Sequence, residues 1–221
     1  MRKNSLGALL TLCILGLAAF AQAEDDVRVR PFDFYISGFG GYSFPFKTDL
    51  SFSGTTLVND LELDKSPSFG GKFGMWFTAP RKALGIDIGT EIDVTNFNPN
   101  TPGTVDLNAT YFGIQVLARM PMGVTQDLPN GRWFPYIGVG GGGQRLAFEV
   151  PGVTTEGRHT APAFQGLWGA KMFVTKHIAL FGEGKFTYAS HTLEFQSGPF
   201  VAPFDITVHA LHGVGGLSVH F

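Results

Sequence analysis

Hydrophobic and polar residues alternate along most of the chain with a period of two. The alternation is clearest in residues 84–97, where one parity carries Leu84, Ile86, Ile88, Ile92 and Val94. The opposite parity there holds glycine, acidic residues and threonine. Successive side chains of a β-strand point to opposite faces of the sheet. The period therefore predicts strands, since helical templates match fewer of these positions.

The same alternation predicts eight strands, which are residues 34–44, 69–78, 84–97, 105–120, 133–146, 164–174, 178–188 and 205–221. The predicted long loops are 45–68, 98–104, 147–163 and 189–204, and the predicted short turns are 79–83, 121–132 and 175–177. Long and short connections alternate, although 98–104 and 121–132 fit the alternation poorly. An even number of strands then places both termini at the short-turn end of a barrel.

The last strand ends on an aromatic residue. Leu217, Val219 and Phe221 share its apolar parity, and Ser218 and His220 share the polar one. Terminal residues of a soluble protein usually fray in water. A strand with lipid on one side and a polar interior on the other is expected to end in this way.

The N-terminal segment has the three regions of a secretory signal peptide. Arg2 and Lys3 precede an apolar run over residues 6–20, and an A-x-A cleavage pattern follows at Ala21 to Ala23. We expect cleavage after residue 23, although an uncleaved anchor helix is the alternative. The remaining residues 24–221 form one barrel domain with a polar lead-in at 24–32, and they contain no cysteine.

Composition narrows the class of protein further. Glycine accounts for 30 of the 221 residues, and charged residues make up 15% of the chain, against about 25% in an average domain. No stretch after the signal segment is as long and apolar as a membrane helix, so a membrane-spanning form has to be a barrel. Without the signal segment the net charge is −4, from 14 basic and 18 acidic residues, which argues against a nucleic-acid partner.

Alternation alone fits two kinds of eight-stranded barrel. A soluble, lipocalin-like barrel packs its apolar parity inward, whereas a membrane barrel turns it outward. The predicted strands have ten or more residues, and their apolar parity carries almost no charge, which favours the membrane form. The polar parity then faces the lumen. By the same parity rule, the side chains of Trp76 and Tyr136 point into the lumen. An outward aromatic girdle formed with Trp133 at the short-turn end is therefore only partly supported.

The predicted lumen holds equal numbers of basic and acidic side chains. They are Lys72, Asp87, Glu91, Asp93, Arg119, Lys171, Glu183 and Lys185. The interior of an eight-stranded barrel has room for little more than its own side chains, and charges buried there must be paired. We therefore predict a salt-bridged plug rather than a water-filled channel. The alternative is that some of these groups are solvated at the barrel mouths.

Several segments resemble the small eight-stranded outer-membrane barrels of Gram-negative bacteria, the OmpA-like, OmpX-like and Opa-like β-barrel domain family. The resemblance covers residues 31–221, and its motifs are segments 34–43, 68–74, 135–140 and 181–186 together with Phe221. It implies an all-β, antiparallel, up-and-down transmembrane barrel in the outer membrane, with lipid and lipopolysaccharide as surroundings. It also implies that Leu217, Val219 and Phe221 form the signal read by the outer-membrane assembly machinery. We expect no peptidoglycan-binding domain after the barrel and hence no tether to the cell wall.

Motifs that suggest chemistry are weak. Residues 138–143 match G-x-G-x-x-G but continue as a strand, whereas a dinucleotide site needs a helix there. His209 and His212 have opposite parity, and His212 and His220 are eight residues apart, so neither pair is expected to share a metal. Ser190 and His191 could form a hydrolase site with Asp205 at the outer rim, but three residue types without geometry are weak evidence. We therefore predict no catalytic, cofactor or metal site.

The function predicted from these observations is non-enzymatic. We expect a structural role, or a surface interaction with an unidentified partner through the loops at 45–68, 147–163 and 189–204. The alternatives are a narrow pore for small solutes, a lipid A-modifying barrel and a soluble barrel that binds an apolar ligand.

Overall fold

A computed structural model describes residues 31–52, 55–99, 106–125, 128, 130–149, 156–197 and 200–221. The predicted signal segment at 1–23 lies outside these residues. The strands are β1 (Phe32–Pro45), β2 (Thr48–Phe52), β3 (Thr55–Leu61), β4 (Ser66–Phe77), β5 (Asp87–Phe97), β6 (Asp106–Arg119), β7 (Trp133–Glu149), β8 (Glu156–Phe173), β9 (Ile178–Ser197) and β10 (Phe200–His220). One helical turn, α1 (Arg81–Leu84), lies between β4 and β5. Within the described residues, no helix is long and apolar enough to cross a membrane.

Eight of the strands form a closed antiparallel barrel, which confirms the predicted fold class. The order is β1-β4-β5-β6-β7-β8-β9-β10, and β10 pairs with β1 to complete the circle. At this closure, the Phe34 and Phe221 backbones exchange two hydrogen bonds, with N···O distances of 3.3 and 3.0 Å. The side chains of the same two residues stack with ring centroids 6.3 Å apart.

The register of the strand pairs determines how far each strand tilts from the barrel axis. Starting from Phe34 and moving from partner to partner around the sheet returns to β1 at Phe44, ten residues further along. With a rise of about 3.3 Å per residue and strands about 4.8 Å apart, a shear of ten over eight strands tilts each strand by about 40°. The interior is consequently narrow, so side chains from opposite walls meet across it.

The apolar parity faces outward, as expected for a barrel in lipid. Ile114, Ile137 and Phe69 expose 61–66% of their surface, and no other part of the described chain covers them. The opposite parity is buried and includes all eight charged residues predicted for the lumen. A soluble barrel would place these two sets the other way round.

Exposed aromatic side chains lie near both ends of the outward apolar band, and those of Phe73 and Trp168 lie between the two ends. At the end that holds the chain terminus, exposed rings come from Phe34, Phe77, Trp133 and Phe221. A second set consists of Tyr42, Phe69, Phe164 and Tyr188. Each of these residues lies eight to ten positions along its strand from the end that holds the chain terminus. That separation matches the 9–11 residues a tilted strand needs to cross a bilayer. Trp76 and Tyr136 are buried instead, as their parity predicts.

The long strands continue well beyond the second aromatic set, which corrects the predicted loops. Residues 147–149 and 156–163 belong to β7 and β8, and residues 189–197 and 200–204 belong to β9 and β10. Residues 48–52 and 55–61 form the hairpin β2–β3, whose first strand pairs with β10. The rest of the predicted loops 147–163 and 189–204, which is 150–155 and 198–199, lies outside the described residues. Prolines and glycines are typical of loops. Pro162, however, lies where β8 has lost its pairing with β9, and proline is tolerated on such a strand edge because it has no N–H to donate.

The predicted start of the third strand was also wrong. Leu84 lies in α1 and not in a strand, and β5 begins only at Asp87. Gly85 ends the helical turn with a φ of 72°, a conformation that glycine adopts without a steric penalty. Its N–H donates to the Arg81 carbonyl at 3.0 Å, and the chain then turns into β5.

The outward face gives a direct test of lipid contact. Val139 on β7 and Val124 in the β6–β7 turn are 59% and 61% exposed, but only Val139 lies between the two aromatic sets. We expect Val139→Arg to destabilise the barrel in lipid vesicles by about 2–4 kcal/mol, since a charge at mid-bilayer loses its hydration. Val124→Arg is the matched control and should leave stability nearly unchanged. Urea unfolding in vesicles measures both, and equal effects would contradict a lipid-facing Val139.

Candidate functional site

The middle of the lumen is filled by a network of buried charges centred on Lys72. Its ammonium donates to Glu91 Oε1 at 2.9 Å and to Glu183 Oε1 at 2.7 Å, and it lies 3.7 Å from Asp93 Oδ2. These four side chains come from β4, β5 and β9, so the network joins opposite walls of the barrel. We call it, together with Lys185 and the hydroxyls of Tyr35 and Tyr136, the central cluster.

Lys185 forms the second positive centre of this cluster. It donates to Asp93 Oδ2 at 2.6 Å and to Thr95 Oγ1 at 3.1 Å, and lies 3.6 Å from Glu183 Oε1. The Lys185 ammonium also lies 3.8 Å from the ring centroid of Phe39. A ring face attracts a desolvated cation, which compensates part of the hydration lost on burial.

Two tyrosines complete the carboxylate partners. Tyr35 donates its hydroxyl proton to Glu91 Oε2 at 2.7 Å, and Tyr136 donates to Glu183 Oε2 at 2.8 Å. Glu91 and Glu183 are therefore each bonded to both a lysine and a tyrosine. Gly74 makes room for Tyr35, because a Cβ there would lie 2.5 Å from its hydroxyl oxygen.

A second network, the terminal cluster, lies at the end of the barrel that holds the chain terminus. Arg119 donates to Asp87 Oδ2 at 2.8 Å and to Asp33 Oδ2 at 2.9 Å. Its guanidinium lies between the rings of Trp76 and Phe134, at 4.4 and 4.3 Å from their centroids. A planar guanidinium suits this position because it stacks on rings while it donates in its own plane.

Arg81 and His220 extend the terminal cluster. Arg81 contacts Asp87 through both oxygens at 2.7 and 2.6 Å, and His220 Nδ1 donates to Asp33 Oδ1 at 2.6 Å. Asp33 and Arg81 were not among the predicted lumen charges. Asp33 shares the parity of Tyr35, so the alternation rule applied one residue earlier would have identified it. Arg81 lies in the helical turn, where strand parity gives no information.

Lys171 connects the two clusters. Its ammonium donates to Ser218 Oγ at 3.1 Å, lies 3.3 Å from His220 Nε2, and lies 4.0 Å from the ring centroid of Tyr35. The structure thus places all eight predicted charges inside the barrel. The other seven form carboxylate–cation pairs shorter than 3 Å, whereas Lys171 is held by these polar and aromatic partners.

Little open space remains between these side chains. The cavity that adjoins Lys72, Lys171 and Tyr136 has a volume of about 10 Å³. This is about the space that one water molecule requires. At the level of the central cluster, the described lumen is therefore packed with side chains.

Ser218, His220 and Asp33 have the connections of a catalytic triad but no room for a substrate. Ser218 Oγ lies 3.0 Å from His220 Nε2, and His220 Nδ1 bonds to Asp33. Ser218 is fully buried, and its partners Ser37 and Lys171 line a cavity that accommodates about one water. A serine nucleophile also needs an acyl group about 3 Å from its oxygen, together with oxyanion donors. In this packed lumen the three side chains close a hydrogen-bond network.

The hypothetical hydrolase site at the outer rim is not assembled. Ser190 and Asp205 are exposed on the outer surface, whereas His191 is fully buried on the inner one. Asp205 Oδ1 accepts a hydrogen bond from Thr192 at 2.7 Å. Residues 138–143, the G-x-G-x-x-G match, lie within β7, so the helix that a dinucleotide site requires does not follow them.

Polarity reverses in the part of the barrel beyond the second aromatic set, which we call the outer extension (48–52, 55–61, 144–149, 156–162, 189–197 and 200–210). On its buried face, Leu146, Ile206, Val208 and Ala210 belong to an apolar cluster with Leu63, Phe97, Leu107 and Ala109. The polar side chains of Gln144 and His191 are buried on the same face. Polar residues are exposed on its outer face, namely Arg145, Arg158, Thr160, Ser190, Thr192 and Asp205. This is the arrangement of a barrel in water. An open cleft of about 630 Å³ lies beside it, lined by residues 62–67 and Asn98.

His159 and His191, predicted to lie in loops, lie on β8 and β9 at the inner edge of the outer extension. Their Nδ1 atoms are 3.3 Å apart. Within the described residues, no group of three or more histidine, cysteine or acidic side chains is arranged to hold a metal ion.

Comparison with known proteins identifies the family of this barrel. The family model for the outer membrane protein β-barrel domain matches residues 8–202, well over half of the chain. None of the curated proteins matches this chain. Among solved structures, OprG from Pseudomonas aeruginosa is similar, with a TM-score of 0.56, 14% identity, and coverage of 89% of this chain and 99% of that one. Neisserial surface protein A aligns with a TM-score of 0.47 and 16% identity, covering 85% of this chain and 97% of the other.

A further alignment covers 87% of this chain and all of a major outer membrane protein from Thermus thermophilus, at 13% identity and a TM-score of 0.49. At these identities the likeness to OprG supports the fold alone, and the two lower scores add no argument.

The central cluster predicts a large loss of stability when its cation is removed. We expect Lys72→Met to destabilise the barrel by about 3–5 kcal/mol, because Glu91 and Glu183 stay buried without their lysine. Lys47→Met is the matched control, since Lys47 forms an exposed pair with Glu62 at 2.9 Å, and exposed pairs contribute little. Urea unfolding in vesicles, followed by tryptophan fluorescence, measures both variants. Equal midpoints for Lys72→Met and the unmodified barrel would refute the stabilising role of the cluster.

Proposed function

The chain belongs to the outer membrane protein β-barrel domain family, and from this premise we propose that it is a closed, non-enzymatic barrel that acts at the cell surface. The observation that carries the proposal is the packed lumen. The central cluster joins opposite walls, and the cavity beside it holds about 10 Å³. Hydrated solutes need a continuous path, so the packing of the described lumen supports a closed barrel over a narrow pore.

The outer extension supports the surface role. β9 and β10 have 20 and 21 residues, about twice the length that crosses a bilayer. The excess forms a folded, water-compatible structure with an apolar interior and a polar exterior. A rigid scaffold of this kind can present side chains at fixed positions to a partner outside the cell. The hairpin β2–β3 and the cleft beside residues 62–67 are the parts of the surface that we assign to this contact.

The remaining expected interactions belong to the same proposal. The exposed apolar face and the two aromatic sets fit outer-membrane lipid and lipopolysaccharide. Leu217 and Phe221 are 47% and 42% exposed along the outside of β10, which fits a signal that the assembly machinery reads there with Val219. Removal of residues 1–23 as a signal peptide accounts for export to this membrane.

Single-channel recording tests the closed lumen. The unmodified barrel, reconstituted into a planar bilayer, should show no stepwise conductance, because the central cluster packs the described lumen with side chains. A general porin incorporated in the same way is the positive control. Reproducible conductance steps would overturn the proposal and support the narrow-pore alternative.

Incubation with lipid A, followed by mass measurement, tests the enzymatic alternative, and a changed lipid A mass would establish it.

Cysteine labelling tests which end of the barrel is outside the cell. Asp64 and Val124 are both exposed but lie at opposite ends, and the only native cysteine, Cys13, lies within the predicted signal segment. A membrane-impermeant maleimide added to intact cells should label Asp64→Cys and leave Val124→Cys unlabelled. Both variants should react after lysis. The reverse pattern in intact cells would place the outer extension in the periplasm and remove the basis of a surface role.

A further inference from the structure

The barrel wall has an unpaired seam between β8 and β9 in the outer extension. The ladder between these strands ends at the pair Ala163–Ala189. Beyond it, β8 remains paired with β7 as far as Glu156, and β9 remains paired with β10 as far as Ser197. The two strands therefore continue without ladder hydrogen bonds to each other. His159 and His191 project from the two sides of this seam.

The two imidazoles face each other through their Nδ1 atoms. The Nδ1···Nδ1 distance is 3.3 Å, and the ring planes meet at 75°. In the metal-free pair, one Nδ1 donates its proton and the other accepts it. Two nitrogens bound to one tetrahedral zinc ion, each at about 2.0–2.1 Å, are about 3.3–3.4 Å apart. The observed separation is the one that such an ion requires.

Gln144 orients one of the ligands. His191 Nε2 lies 3.2 Å from Gln144 Oε1, which can only accept a hydrogen bond, so Nε2 carries the proton. Nδ1 of His191 then carries the lone pair and faces His159. Histidine ligands of metal ions usually donate their second N–H to an oxygen in this way. Gln144 is fully buried, and its Nε2 has no hydrogen-bond partner among the described residues.

We propose that His159 and His191 bind one divalent transition-metal ion, of the class of Zn²⁺ and Cu²⁺, across the seam between β8 and β9. Imidazole nitrogen is a preferred ligand of these ions, whereas Mg²⁺ and Ca²⁺ prefer oxygen. On binding, the single proton of the neutral His159 ring moves from Nδ1 to Nε2 by exchange with water, so that both Nδ1 atoms direct a lone pair at the ion. Water fills the other coordination positions, and the unpaired Nε2 of Gln144 is available as a donor to it.

The bound ion would connect two strands that no longer pair with each other. His159 and His191 lie only four and two residues beyond the last ladder pair, so the ion continues the wall where the backbone hydrogen bonds stop. Metal binding is thereby expected to restrain the outer extension without affecting the central cluster. The site consists of two protein ligands, so it is exchangeable rather than a closed structural site.

Calorimetry tests the site on the full-length barrel, extracted in detergent and made without a polyhistidine tag. We expect saturable binding of one Zn²⁺ per barrel. His159→Gln and His191→Gln should each weaken binding about tenfold or more, and Gln144→Leu should weaken it to a smaller extent. The matched control is His177→Gln in the β8–β9 turn at the opposite end, and it should bind as the unmodified barrel does.

Electron paramagnetic resonance makes the test independent of whether the variants fold. The spectrum of Cu²⁺ bound to the unmodified barrel should show coupling to two equivalent or near-equivalent imidazole nitrogens. Absence of saturable Zn²⁺ binding, coupling to fewer than two nitrogens, or equal affinity in folded His159→Gln, His191→Gln and His177→Gln variants would each overturn the proposal.

Discussion

The requirement that every backbone N–H and C=O find a partner within lipid determines the rest of this structure. An open sheet would leave one edge without hydrogen bonds in the bilayer, so the sheet closes through β1 and β10. Closure with eight strands and a shear of ten produces a narrow interior. The polar parity of every strand is then directed into a space that holds little besides side chains.

Charges in such a space are stable only when they neutralise each other. Lys72 and Lys185 share three carboxylates in the central cluster, and Arg119 joins two more in the terminal cluster. Aromatic rings provide further partners, since Phe39, Trp76 and Phe134 lie against the cations. Loss of one partner leaves another charge buried without compensation, so each member of the network stabilises the others.

The same alternation of apolar and polar residues continues along strands that lie partly in lipid and partly in water. Between the aromatic sets, apolar side chains meet lipid and polar ones fill the lumen. In the outer extension, polar side chains meet water, and an apolar cluster that includes Phe97, Leu146 and Val208 fills the interior. The strand backbone does not change at this boundary. The surroundings change, and the residues on each face change with them.

The sequence by itself determined the strand class and which residues share a face, because both follow from a period of two. Strand length and the scarcity of charge on the apolar parity then placed the eight predicted charges in the lumen. Lys72 and Glu183 could be assigned to the lumen from parity. The contact between these two residues, which are 111 positions apart in the chain, could not be predicted from parity. The register of the strand pairs decides which side chains meet across the lumen.

Only the tertiary structure showed that predicted loops were strands, because neighbouring strands supply the hydrogen bonds that a local pattern of proline and glycine does not reveal. It also showed that Asp33 contacts Arg119 and His220, that Arg81 contacts Asp87, and that His159 lies beside His191. Most of these contacts join segments that are distant in sequence. Periodicity predicts which side chains of a strand share a face. Closure of the barrel decides which other side chains each face contacts.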